Sequence, residues 1–100
     1  AQMQQAKRDR NGFLPPIDVI CQHTAAGKII PMRVKITDED GENKPYTITQ
    51  YKTLPSLEGV PSGTSIEVFE CVIPLENRER HIYIYFNRLD GIWRLYGYSE

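Results

Sequence analysis

The stretch KIIPMRVKIT, residues 28–37, decides the fold class. Ile30, Met32, Val34 and Ile36 alternate with Pro31, Arg33 and Lys35. A period of two is what a strand with one buried and one wet face requires. Pro31 has no amide to donate, which predicts that this end of the strand lies on an edge or beside a bulge.

The same rhythm extends in both directions. Upstream, Ile17 to Gln22 reads as a strand turned by His23-Thr24-Ala25-Ala26-Gly27. Downstream, Asp38-Glu39-Asp40-Gly41 reads as a tight turn, because Asp-Gly accepts the positive φ that such turns need. Pro45 to Thr53 (PYTITQYKT) is polar yet rich in Thr and Tyr, which predicts a third strand at an edge or with one wet face. Leu54 to Gly63 holds two prolines and two glycines and reads as the one long connection.

Thr64 to Ile73 follows as a fourth strand, with Ile66 and Val68 on one face and Phe69, Cys71 and Ile73 on the other. That change of phase predicts a bulge or a barrel corner. Glu79 to Leu89 and Ile92 to Tyr98, joined at Asp90-Gly91, complete the pattern. The expectation is all-β: a six-stranded antiparallel meander closing into a small barrel or a roll, so that no long edge is left bare.

Residues 1 to 12 carry little apolar content beyond Met3, and Pro15-Pro16 then fixes an extended entry. This predicts a flexible tail over 1–14 and a single domain over 15–100. One hundred residues suffice for one core. A net charge of -1, with 25% charged and 40% hydrophobic residues, excludes a disordered acidic chain and a generally basic nucleic-acid binder. The neutrality conceals asymmetry: six basic against two acidic side chains in residues 1–35 (+4), two against eight in 36–76 (-6), four against three in 77–100 (+1). Neither a membrane-spanning apolar run nor a signal core is present, which predicts a cytoplasmic protein without a membrane association.

Chemistry-bearing patterns are sparse. Cys21 and His23 share one face of a strand, and a Cys/His pair is the minimum for an activated thiolate. With Cys71 and His81 the chain holds four zinc-type ligands, but only the first pair has even a C-x-H spacing, so no metal or other cofactor is expected. Two free core cysteines are the simpler reading. Asp38 onward is not an EF-hand loop, since Asn43 and Thr49 stand where Gly and Glu are needed. Phosphate loops, nucleophile elbows and zincin motifs are absent, and no enzyme is expected.

The aromatic residues say more. Tyr83, Tyr85, Phe86, Trp93, Tyr96 and Tyr98 crowd the last two strands. If Trp93 and Leu95 point inward, strict alternation makes Tyr83, Tyr85, Arg94, Tyr96 and Tyr98 one outward patch. Cross-strand tyrosines also stabilise ordinary sheets, so the patch has a purely structural explanation as well. The leading functional expectation is a non-enzymatic module that binds a protein through this aromatic face. A second copy, joined through the edge of the third strand, is included among the partners. The alternative is single-stranded nucleic-acid binding through the same tyrosines with Arg33 and Lys35; a cysteine or metal enzyme using Cys21 and His23 ranks third.

The strand Ile30-Pro31-Met32-Arg33-Val34-Lys35-Ile36 running into Asp38-Glu39-Asp40-Gly41, with the closing Trp93-Arg94-Leu95-Tyr96, resembles a set of small bacterial all-β proteins of unknown function. That resemblance covers residues 17–98 and implies a cytoplasmic bacterial protein, with no functional residues to carry over.

Overall fold

The computed structural model describes residues 3–37, 41–61, 63–75 and 77–99, and within them every regular element is a strand. In chain order these are β1 (Gln4–Gln5), β2 (Pro16–His23), β3 (Ile29–Thr37), β4 (Asn43–Thr47), β5 (Gln50–Leu54), β6 (Ile66–Pro74), β7 (Glu79–Asn87) and β8 (Ile92–Ser99). They form one antiparallel sheet in the order β4-β3-β2-β8-β7-β6-β5, with β1 added to β8. The all-β expectation holds, with eight strands rather than six and a curled half-barrel rather than a closed barrel.

Two departures account for the strand count. The segment read as one strand, Pro45 to Thr53, serves both ends of the sheet. The amide of Ile48 donates to Met32 on the β3 side, and that of Thr49 to Val72 on β6, each at 2.9 Å. The chain therefore bends at Ile48-Thr49 from one edge to the other, and no ladder joins β4 to β5. The other added strand is β1, which lies in the segment read as a flexible tail. Gln4 and Gln5 pair with Tyr98 and Gly97, and Ala6 N–H donates to Tyr96 O at 2.8 Å.

Pro16 and Ile17 then resume pairing on the same edge of β8, opposite Arg94 and Trp93. Residues 7–14 are thus an excursion from one interrupted strand. Asp9 organises it, its carboxylate accepting from the amides of Asn11 and Phe13 at 2.9 Å. At Gly97 a Cβ would run into the Gln4 carbonyl, so β1 sits where only glycine leaves room.

Register decides which side chains face inward. The prolyl break at Pro31 coincides with a shift: Ile20 faces Arg33 while Cys21 faces Pro31, leaving Met32 unpaired on β3. Beyond this bulge the inward positions change phase, so Ile29 and Pro31 are buried with Val34 and Ile36 while Met32 is exposed. The bulge expected at Val68-Phe69 is not there. β6 pairs without a shift along both neighbours, and the phase change arises because both of its faces are covered.

Two cores result. The inner one gathers Ile29, Val34, Ile36, Phe69, Cys71, Ile73, Ile82, Ile84 and Trp93. Trp93 sits between Phe69 and Phe86, with ring centroids 5.7 and 5.0 Å away. The outer core, on the opposite face of β6, β7 and β8, is Leu14, Val60, Val68, Tyr85 and Tyr96.

Candidate interaction surface

The tyrosine patch is not the open surface that strict alternation suggests. Tyr85 and Tyr96 are buried, at 7% and 8% exposure, beneath Leu14 and Val60. Tyr96 Oη donates to Glu58 O at 2.7 Å, and Arg94 Nη1 donates to Leu14 O at 2.7 Å with its guanidinium 5.3 Å from the Phe13 ring centre. Arg8 ties the excursion to Gly12 and Gly59 through their carbonyls. Burial raises the ionisation of Tyr85 above the ordinary phenol range; Asp90 adds to the rise, and Arg94 and Arg8 oppose it.

Tyr98 does not belong to this face at all. The register of β7 against β8 shifts between Tyr83 and Ile84, so Tyr83 faces Gly97 while Ile84 faces Leu95. Tyr96 is the extra residue, and Tyr98 is carried round to the inner face opposite Ile82, with the Arg80 guanidinium 4.8 Å from its ring centre. Of the five predicted contacts on the last two strands, Tyr83, Tyr85, Arg94 and Tyr96 come together under the N-terminal excursion, and Tyr98 is apart. A bulge inserts one residue without changing composition, so alternation alone offered no signal for it.

Arg33 and Lys35 stand elsewhere, on the outer face of β2, β3 and β4. Cross-strand pairing sets Asp18 beside Lys35 and Lys35 beside Pro45, with Ile20, Arg33 and Thr47 as the next row. An open depression of about 420 Å³ lies over these rows, lined by Asp18, Ile20, Arg33, Lys35, Asn43 and Pro45 among others. A second, of about 480 Å³, shares Asp18, Lys35 and Asn43 and reaches Lys7, Pro15 and Leu95. Ile20, paired with Arg33 in this depression, is 64% exposed beside the two cations. Sequence reasoning named the cations but missed Ile20, because the alternation of β2 alone did not say which of its faces would be wet.

The cysteines part company. Cys71 is fully buried in the inner core, where burial and the neighbouring Glu70 carboxylate push its thiol up to about 12. Cys21 is half-buried and free, with its Sγ 3.6 Å from Nε2 of His23. His81 joins neither, its Nδ1 lying 2.8 Å from Glu70 Oε2 while Lys52 approaches the other carboxylate oxygen at 3.5 Å. Among the described residues no three metal-type side chains converge, and no helix is long and apolar enough to cross a membrane. Asp38, Glu39 and Asp40 of the acidic turn lie outside the described residues.

No protein-family model, curated protein or solved structure matches the chain, so the resemblance drawn from its strand motifs gains no support from these comparisons.

Proposed function

We propose that this protein is a non-enzymatic interaction module that holds an extended protein segment on the outer face of β2, β3 and β4, through Ile20, Arg33 and Lys35. The observation that carries this reading is the depression over Asp18, Ile20, Arg33, Lys35 and Pro45, where an exposed isoleucine sits beside two cations. That mixture suits a segment with both apolar and acidic side chains.

Face binding is favoured over strand addition at an edge. β4 carries Lys44 and Pro45, and β5 carries Lys52, on the two outermost strands of the sheet. Lysine and proline on an edge oppose pairing with another chain. Association of two copies through the Pro45 to Thr53 edge therefore ranks below capture of a different partner. Nucleic-acid binding ranks lower again, because base stacking needs open rings and Tyr85 and Tyr96 are buried.

A display library of acidic, leucine-containing peptides selected against the wild-type protein tests the proposal. Selected peptides should lose at least tenfold in affinity for an Ile20→Asp/Lys35→Glu variant and keep their affinity for Tyr83→Ala. Peptides that bind the double variant as well as wild type contradict it. An oligothymidylate that binds with a steep salt dependence, and is lost with Arg33→Ala/Lys35→Ala, turns the assignment to nucleic acid.

A further inference from the structure

We propose that Asn11 is a site of spontaneous deamidation, and that its isoaspartyl product frees the excursion of residues 7–14 from the outer core. Of the chain's four asparagines Asn11 alone precedes a glycine, since Asn43, Asn77 and Asn87 precede Lys44, Arg78 and Arg88. Asn11 is exposed at a turn, and among the described residues no hydrogen bond holds its side-chain amide. Asn87, by contrast, is held, its amide oxygen accepting from the Leu89 amide at 2.9 Å. A Cβ built on Gly12 would meet nothing within 4 Å, so the space beside the Asn11-Gly12 peptide is open.

The reaction needs only water and base. The Gly12 backbone nitrogen loses its proton and attacks Asn11 Cγ, closing a succinimide ring. The side-chain nitrogen takes up a proton and leaves as ammonia. Water then opens one of the two bonds from the ring nitrogen to a carbonyl carbon. Opening at Cγ gives aspartate at position 11, and opening at the main-chain carbon gives isoaspartate, in which the chain runs through the former side chain. In sum an amide and water become a carboxylate and ammonium, with nothing oxidised or reduced. One turn bond must yield first, because Gly12 N–H donates to Asp9 O at 3.0 Å. Opening of an exposed turn costs little.

The two products act differently on the turn. Asp9 Oδ1 accepts from the amides of both Asn11 and Phe13 at 2.9 Å, and Asp9 N–H donates to Phe13 O at 2.8 Å. Arg8 Nη1 donates to Gly12 O and Arg94 Nη1 to Leu14 O, each at 2.7 Å. Isoaspartate lengthens the main chain by one carbon between the two amides that share Asp9 Oδ1. They cannot both keep that acceptor while Gly12 O and Leu14 O stay with their arginines. Aspartate leaves the main-chain path as it was, and the side chain it replaces holds nothing in place. Leu14, 1% exposed, is what the excursion buries over Tyr85 and Tyr96. Isoaspartate therefore uncovers that face, and aspartate leaves it covered.

The test is incubation of the folded protein in warm, mildly alkaline buffer, followed by peptide mapping by mass spectrometry and by methylation with an isoaspartyl methyltransferase. Asn11 should convert at least tenfold faster than Asn43, Asn77 and Asn87 in the same sample, and the converted peptide should accept methyl groups. The isoaspartyl fraction should then be cut by trypsin at Lys7 or Arg8 at least tenfold faster than fresh protein, with the sheet still folded by circular dichroism. Freshly prepared Asn11→Asp should resist trypsin like fresh wild type, and Asn11→Gln should stay resistant through the whole incubation. Conversion of Asn11 at the rate of the other asparagines would overturn the proposal. So would an isoaspartyl form cut no faster than fresh protein, or Asn11→Asp cut as fast as the isoaspartyl form.

Discussion

The two faces of the sheet solve the same burial problem in different ways. The inner face closes on itself: curvature brings β3 and β4 over β6, and Ile73, Ile82, Ile84 and Cys71 are fully buried there among side chains from regular strands. The outer face cannot close by curving. Its tyrosines are covered instead by irregular backbone, the excursion that ends in Leu14 and the connection that carries Leu57 and Val60. Where strands cover strands, stability is shared by the whole domain; where loops cover strands, it is local, and the cover can come away while the sheet persists.

The largest test of that contrast is truncation on the inner face. Phe69→Ala removes a ring that contacts Trp93 and should cost about 3–5 kcal/mol of global stability in chemical denaturation, with an intact single transition. A change confined to local exchange near β6 would argue against a shared inner core.

Alkaline titration separates the faces by chemistry. Cys71 on the inner face titrates at about 12 when folded, above the 9.0 of an unburied thiol. A group whose folded value is raised stabilises fully below its unfolded value, and that contribution is lost as pH climbs to the folded one. Stability should therefore fall by roughly 4 kcal/mol between pH 9 and 12. Tyr85 on the outer face, raised in the same direction, adds to the loss from the phenol range upward. Cys71→Ala should remove the earlier part of the fall and leave the later part, as read by denaturant midpoints at stepped pH.

On the outer face, Leu14→Ala should cost about 2–3 kcal/mol, since Leu14 is 1% exposed, but its signature should be local. Trypsin should cut at Lys7, Arg8 or Arg10 at least tenfold faster than in wild type, while the sheet remains folded. Equal cutting rates would mean that Leu14 does not hold the excursion down. The smallest effect belongs to the open part of the outer face. Ile20→Asp should leave stability within about 0.5 kcal/mol, because the side chain is 64% exposed, while removing the proposed peptide binding.

Much of this was legible in the residues. The alternation in β3, the Asp90-Gly91 hairpin and the role of Pro31 all follow from local chemistry, and they fix the fold class. What was not legible depends on register and on distant segments. Met32 and Tyr96 each occupy an extra position that turns the following side chains over, and Tyr98 changes face for that reason. The polar strand at Pro45 to Thr53 gives no hint that it serves two edges, because the bend at Ile48-Thr49 is imposed by partners on β3 and β6. The excursion looks too polar to pack, yet Leu14 at its end and Ala6 just before it reach the outer core. Of the candidate site residues, Arg33 and Lys35 lie on an open face, whereas Tyr85 and Tyr96 lie under cover and Tyr98 is on the inner face.

The central claim is that the aromatic face is closed by the chain itself and the open surface lies over β2 to β4. Nitration of the folded protein with tetranitromethane, resolved residue by residue by mass spectrometry, tests it most directly. Tyr51, at 44% exposure, should react readily, and Tyr85 and Tyr96 should be protected by at least tenfold until the protein is unfolded. Nitration of Tyr85 and Tyr96 at the rate of Tyr51 would contradict the account and return the binding surface to the last two strands.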